Sequence, residues 1–239
     1  MRNMLLALLM LSLIASPLLT ENLLYNGNFE TGDLTAWTEA GPNIPQWHGA
    51  SPVPAQIFHI KSPMFISEIF HQDRGRRIIR RHGMAEVPVA KYNWSLGWTR
   101  SGSSLMGFPW VSQHIHVSPG KYLVNAKWDV VAGSTVKNQG PQTVAGILMV
   151  LADDKLNACT TDDLGIRWTT WNNESNGKWI NRSFEAVPLE TRTGYIEVRL
   201  QMWDHNDQDI KLPDYQFVAF DNVELHLTPV GPVEGDVKQ

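Results

Sequence analysis

Hydrophobic and polar residues alternate along much of this chain. In PGKYLVNAKWDVVAG (119–133), a Pro-Gly turn leads into a run with two distinct faces. Tyr122, Val124, Ala126, Trp128 and Val130 share one, and Leu123, Asn125, Lys127 and Asp129 share the other. TGYIEVRLQMWDHND (193–207) repeats the design, with Ile196, Val198, Leu200 and Met202 opposed by Tyr195, Glu197, Arg199, Gln201 and Trp203. A period of two is that of a strand with one face buried. WVSQHIHVS (110–118) alternates in the same way, and VAGILMVLAD (144–153) is almost wholly apolar, as a central strand would be. GKWINRSFEAV (177–187) and FVAFDNVELHL (217–227) complete the set.

Turn signals separate these runs: SPGK, NQGP, SNGK and RTG. No long amphipathic helix intervenes, and there is no βαβ rhythm. The pattern predicts an all-β, antiparallel β-sandwich. A single domain over 21–229 is expected, followed by a Pro/Gly-rich flexible tail at 230–239. One stretch breaks the rhythm. Residues 41–92 carry Arg74, Arg76, Arg77, Arg80 and Arg81 and read as an irregular or partly helical insertion. The cluster is either a solvated charged face or a patch for an anionic ligand or partner.

Residues 1–20 change the compartment. Arg2 precedes an apolar run from Met4 to Ile14, with small residues at Ala15 and Ser16. This is the layout of a secretory signal peptide cleaved between Ala15 and Thr20, and the alternative is an uncleaved anchor. The mature chain is expected to be secreted or on the cell surface, with no membrane span. Cys159 is the single cysteine, so no intrachain disulfide forms, and it reads as a small, partly buried residue. A formal net charge of −4 and a pI near 6.0 exclude general nucleic-acid binding.

The opening NLLYNGNFETGDLTAW and the closing AFDNVELHL together resemble the jelly-roll carbohydrate-binding modules of the galactose-binding-like superfamily, closest to the CBM4/9/22-type group. SGSSLMGFPWVSQHIHVSPGKYLVNAKWDV, NGKWINRSFEAV and YIEVRLQMW fit the same pattern. The likeness covers 22–38 and 93–227, and leaves out 41–92 and 155–176. It implies that the first and last strands lie side by side, with a structural Ca²⁺ between them. Glu30 and Asp221 would supply carboxylates, and Asn28 and Gly32 backbone oxygens. The alternative is that Glu30 and Asp221 make only backbone hydrogen bonds.

A carbohydrate site needs flat aromatic surfaces and planar hydrogen-bonding side chains. Ten tryptophans leave some to spare beyond a core. The polar rows Arg199, Gln201, Trp203 and Asn125, Lys127, Asp129 line one groove if both lie on the concave sheet; otherwise they are ordinary solvent-facing residues. GIRWTTWNNESNGKW reads as a loop whose Trp168 and Trp171 form an aromatic platform or cap the sandwich. Trp128, Trp94 and Trp98 are assigned to the core. His114-x-His116 places two imidazoles on one strand face, and residues 204–209 make an oxygen-rich loop without EF-hand spacing. An acid pairing of Glu197 with Asp129 or Glu185 rests on strand parity alone, and no nucleophile-elbow, P-loop or zinc-protease motif occurs. The leading expectation is a secreted, non-catalytic protein that binds a polysaccharide or glycan. The alternatives are an extracellular assembly subunit, which would self-associate, and a glycan-cleaving enzyme.

Overall fold

The computed structural model describes residues 21–39, 55–59, 64–70, 78–85, 94–102, 109–137, 142–153, 165–204, 210 and 213–233. The first 20 residues, Arg74, Arg76, Arg77, Cys159, 205–209 and 234–239 lie outside these. The described chain is strand after strand: β1 (Thr38–Glu39), β2 (Gln56–His59), β3 (Met64–Phe70), β4 (Ile78–Ala85), β5 (Trp94–Gly102), β6 (Trp110–His116), β7 (Gly120–Ser134) and β8 (Val144–Ala152). Then follow β9 (Gly165–Trp171), a single helical turn α1 (Asn172–Ser175), β10 (Ile180–Thr191), β11 (Tyr195–Asp204) and β12 (Gln216–Gly231).

Two sheets form. The front sheet has the order β1-β6-β11-β8-β9, and the back sheet β10-β7-β12-β5-β3-β4, with β2 also paired to β5. Pairing is antiparallel except between β3 and β5. The sandwich predicted from the alternation is therefore the fold. The partly helical insertion is not. Its described residues form β2, β3 and β4, and β3 pairs with β4 so that Glu68 stands opposite Arg80 and Ser67 opposite Arg81. MFISEIF is rich in β-branched and aromatic residues and IIRRHGMA opens on two isoleucines, which favour a pleated surface over a helix.

The two alternating rows meet in the core. Ile196, Val198, Leu200 and Met202 of β11 face Val124, Ala126, Trp128 and Val130 of β7, and all are buried. Trp98 meets Phe220 edge to face at 6.3 Å. Each such side chain contributes roughly 1.5–3 kcal/mol by leaving water.

The head of the described chain closes the sandwich along its flank. Over Gln216–Phe220, β12 is paired on one side with β5. Beyond that point the N-terminal segment takes over: Val223 N–H donates to Gly27 O at 2.8 Å and Leu23 N–H to Leu225 O at 2.9 Å. Gln113 of β6 then ties Tyr25 to the front sheet, accepting from its N–H at 2.8 Å and donating to its carbonyl at 2.9 Å. A Cβ on Gly27 would sit 2.1 Å from the Val223 carbonyl oxygen, so only glycine lets the two backbones approach. At the handover β12 bulges between Asp221 and Glu224, with Asn222 in the left-handed region at φ 48°.

Candidate functional site

The side chains of the front sheet that turn away from the core build an aromatic and guanidinium-rich surface. From β11 come Tyr195, Glu197, Arg199, Gln201 and Trp203; the β6 register adds Trp110, Ser112, His114 and His116. The β8 and β9 registers add Ile147, Met149 and Leu151, then Arg167 and Trp171. The Arg167 guanidinium lies 4.4 Å over the Trp203 ring, and Trp171 flanks Trp203 at 5.9 Å with a 43° tilt. Trp203 rests on an apolar strip of Ile147, Met149 and Leu151. This end is half-open to solvent at Arg167, Trp171, Gln201 and Trp203.

The centre of that face is closed. Arg199 is 6% exposed and Glu197 2%. Arg199 donates Nε to Glu197 Oε1 and Nη2 to Glu197 Oε2, both at 3.1 Å, while its guanidinium lies 4.6 Å over Trp110. A bidentate pair satisfies both planar groups, and stacking on an indole compensates part of the desolvation. Arg199 is thus a brace for the face and not one of its exposed contacts. At the far end, the Tyr195 hydroxyl hydrogen-bonds to His114 Nδ1, and the rings of His114 and His116 pack on Tyr195 at 5.1 and 5.5 Å. Among the described residues no group of three or more His, Cys, Asp or Glu is arranged to hold a metal ion.

The single groove expected from two polar rows does not form. Asn125, Lys127 and Asp129 lie on the outer face of the back sheet, on the far side of the sandwich from Arg199, Gln201 and Trp203. There Asn125 Oδ1 accepts from Ala186 N–H at 2.9 Å, bracing the β10 bulge, and Lys127 pairs with Glu224 at 2.8 Å. The same separation removes the acid pairs of Glu197 with Asp129 or Glu185, since β11 belongs to the front sheet and β7 and β10 to the back. Trp168 and Trp171 do not make one platform either. They lie on strand β9, and an odd spacing sends them to opposite faces. Trp171 joins Trp203, while Trp168 packs on Phe184 of the opposite sheet at 6.3 Å. Trp110 and Arg167 were not singled out in the sequence. Trp110 shares the parity of His114 and His116, and Arg167 that of Trp171, but only pairing shows which rings they meet.

A second constellation lies where β5 gives way to the head segment. Asp221 is fully buried. Its Oδ1 accepts from Asn222 N–H at 2.7 Å and its Oδ2 from Ser95 Oγ at 3.2 Å. Glu30 is anchored one residue away on β5, accepting from Trp94 N–H at 3.3 Å. Asp129 stands directly across from Asp221, holding Asn181 at 3.2 Å and Asn222 at 2.8 Å. Burial pushes the Asp221 carboxyl up to about 7; the hydrogen bonds from Asn222 and Ser95 oppose this, and the Asp129 and Glu30 charges reinforce it. Asn28 accepts from Glu30 N–H at 3.4 Å, and Gly32, at φ +75°, lies against the Trp94 indole. All of these are hard oxygen donors, the type of ligand that Ca²⁺ takes, and Glu30 and Asp221 are two carboxylates and not a group of three.

No protein-family model matches the chain, and no curated protein matches it. Solved structures do. It is similar to TmCBM61, solved with β-1,4-galactotriose, at 11% identity over 88% of this chain and 100% of that one, with a TM-score of 0.46. It is similar to CBM28, a module specific for non-crystalline cellulose, at 12% identity over 87% and 96%, with a TM-score of 0.44. It is also similar to the CBM22-2 xylan-binding domain of Paenibacillus barcinonensis Xyn10C, at 14% identity over 84% and 98%, with a TM-score of 0.40. The chain is an antiparallel β-sandwich whose solved look-alikes include several carbohydrate-binding modules.

Proposed function

We propose that the protein is a secreted, non-catalytic carbohydrate-binding protein that holds a polysaccharide chain on the outer face of its front sheet. The observation carrying this reading is the half-open stack of Arg167, Trp203 and Trp171 beside Gln201. Indole surface takes the apolar C–H face of a pyranose, while the Gln201 amide and the Arg167 guanidinium offer planar hydrogen bonds to its hydroxyls. The sheet pre-sets these groups, so little ordering cost is subtracted from binding. Glu197 supports the non-catalytic reading, because both of its oxygens are already held by Arg199. The layout of residues 1–20 supports export.

A structural Ca²⁺ completes the proposal. Glu30 and Asp221 would hold it, with backbone oxygens near Asn28 and Gly32. The ion would neutralise the buried Asp221 charge and pin the head segment beside β12.

Affinity electrophoresis against a panel of soluble neutral polysaccharides, with and without calcium, tests the reading. Retardation by at least one polysaccharide is expected. Release of reducing sugar from the same panel would replace the binder with an enzyme, and light scattering from large oligomers with no retardation would favour an assembly subunit.

A further inference from the structure

The lateral edge between β9 and β10 holds a feature that the outer face does not use. Among the described residues no strand joins the two sheets there, and Trp168 stands at the opening, 40% exposed, the most open tryptophan among them. Its ring leans on Phe184 with 33° between planes, and Phe184 meets Trp128 at 6.0 Å. One indole face is thereby backed by protein and the ring is held in place.

Arg182 is two residues from Phe184 on the same face of β10. Its Nη2 donates to Glu174 Oε2 of α1 at 2.6 Å, and both side chains are partly exposed. The pair is neutral overall, yet it sets guanidinium donors beside carboxylate acceptors. That is the complement of two adjacent hydroxyls, each of which both donates and accepts. Arg182 Nε, Trp128 Nε1 and Thr170 Oγ1 are buried with no hydrogen-bond partner among the described residues. Arg182 is the cross-strand partner of Trp128, and Thr170 shares the face of Trp168 on β9.

We propose that this edge is a second saccharide subsite. It takes one neutral pyranose, whose apolar face lies on Trp168 and whose vicinal hydroxyls bridge Arg182 and Glu174. Trp168 and Trp171 leave β9 on opposite faces, so the subsite is distinct from the outer face and does not depend on it. An acidic sugar is disfavoured, because the Arg182 charge is already matched by Glu174.

The test uses the full chain labelled with 5-fluorotryptophan. Fluorine signals of Trp168 and Trp203 are assigned with Trp168→Phe and Trp203→Phe, then followed against xylohexaose, cellohexaose, mannohexaose and a galacturonate oligomer. The expected result is that a neutral oligosaccharide shifts the Trp168 signal, that the shift survives Trp203→Ala, and that Glu174→Gln weakens it about tenfold without moving Tm. A Trp168 signal unmoved across the panel overturns the subsite, whether or not Trp203 responds; if Trp203 responds alone, the outer-face reading stands by itself. A Trp168 response confined to the galacturonate, or one unaffected by Glu174→Gln, overturns the assigned recognition.

Discussion

Replacing Asp221 with Asn should make the protein more stable at neutral pH when calcium is withheld. The folded carboxyl is raised from 3.8 to about 7, mainly by burial. Between those values the unfolded chain has released the proton that the folded chain still holds. The folded state binds more protons, so stability falls as pH rises through this window. A shift of about three pKa units corresponds to about 4 kcal/mol, an upper limit once local relaxation is allowed. Asn keeps a carbonyl oxygen for the Asn222 N–H and carries no charge to desolvate. Urea denaturation in EDTA at pH about 5 and about 8 measures the effect. Wild type should lose up to about 2.6 kcal/mol more than Asp221→Asn over that interval, which spans about two of the three units. Calcium at about a hundred times its Kd should then return about 3 kcal/mol to wild type and nothing to the variant. Parallel pH profiles in EDTA would refute the charge argument, and an equal calcium response in both proteins would refute Asp221 as a ligand.

Asp153 works in the opposite direction. Burial raises its carboxyl, but hydrogen bonds from Thr191, Thr193 and Arg192 outweigh that and hold it at about 2. Its stabilisation is present above the unfolded value and is lost as pH falls from about 4 to about 2, so Asp153→Asn should flatten acid unfolding in that window, read by circular dichroism. Glu197→Gln leaves Arg199 buried without its counter-charge and should cost about 3–5 kcal/mol in urea melts. Gly27→Ala drives a methyl into the Val223 carbonyl and should detach the head segment; faster hydrogen exchange at the Val223 and Leu225 amides would show it, with a loss of at least about 2 kcal/mol.

Much of the frame is legible in the sequence. Strict alternation in β7 and β11 gave both the strands and their inward rows, and the unbroken apolar run of β8 marked a strand with neighbours on both sides. The pairing of the head segment with β12 was implied by the resemblance of residues 22–38 and 217–227 to the jelly-roll modules, and not by their periodicity. Parity, however, says which residues share a face and not which sheet owns it. Asn125, Lys127 and Asp129 therefore looked like companions of Arg199 and Trp203 when they stand on the other side of the molecule. The closure of Glu197 and Arg199 was equally hidden, since it depends on Trp110 arriving from β6. β2 to β4 were missed because their alternation is short and sits among arginines. The Asp129–Asp221 juxtaposition is a matter of register, set at a bulge that no local pattern announces.

The most direct measurement is affinity electrophoresis of wild type, Trp203→Ala, Trp171→Ala and Gln201→Ala on the one neutral polysaccharide that retards the wild type most. Trp203 also packs on Ile147, Met149 and Leu151, so the milder Gln201→Ala guards against a loss due only to unfolding. The account predicts that retardation falls at least about tenfold in all three variants, with Gln201→Ala unfolding at the wild-type temperature. Full retardation of Trp203→Ala and Trp171→Ala, or a wild type that no polysaccharide retards, would contradict it.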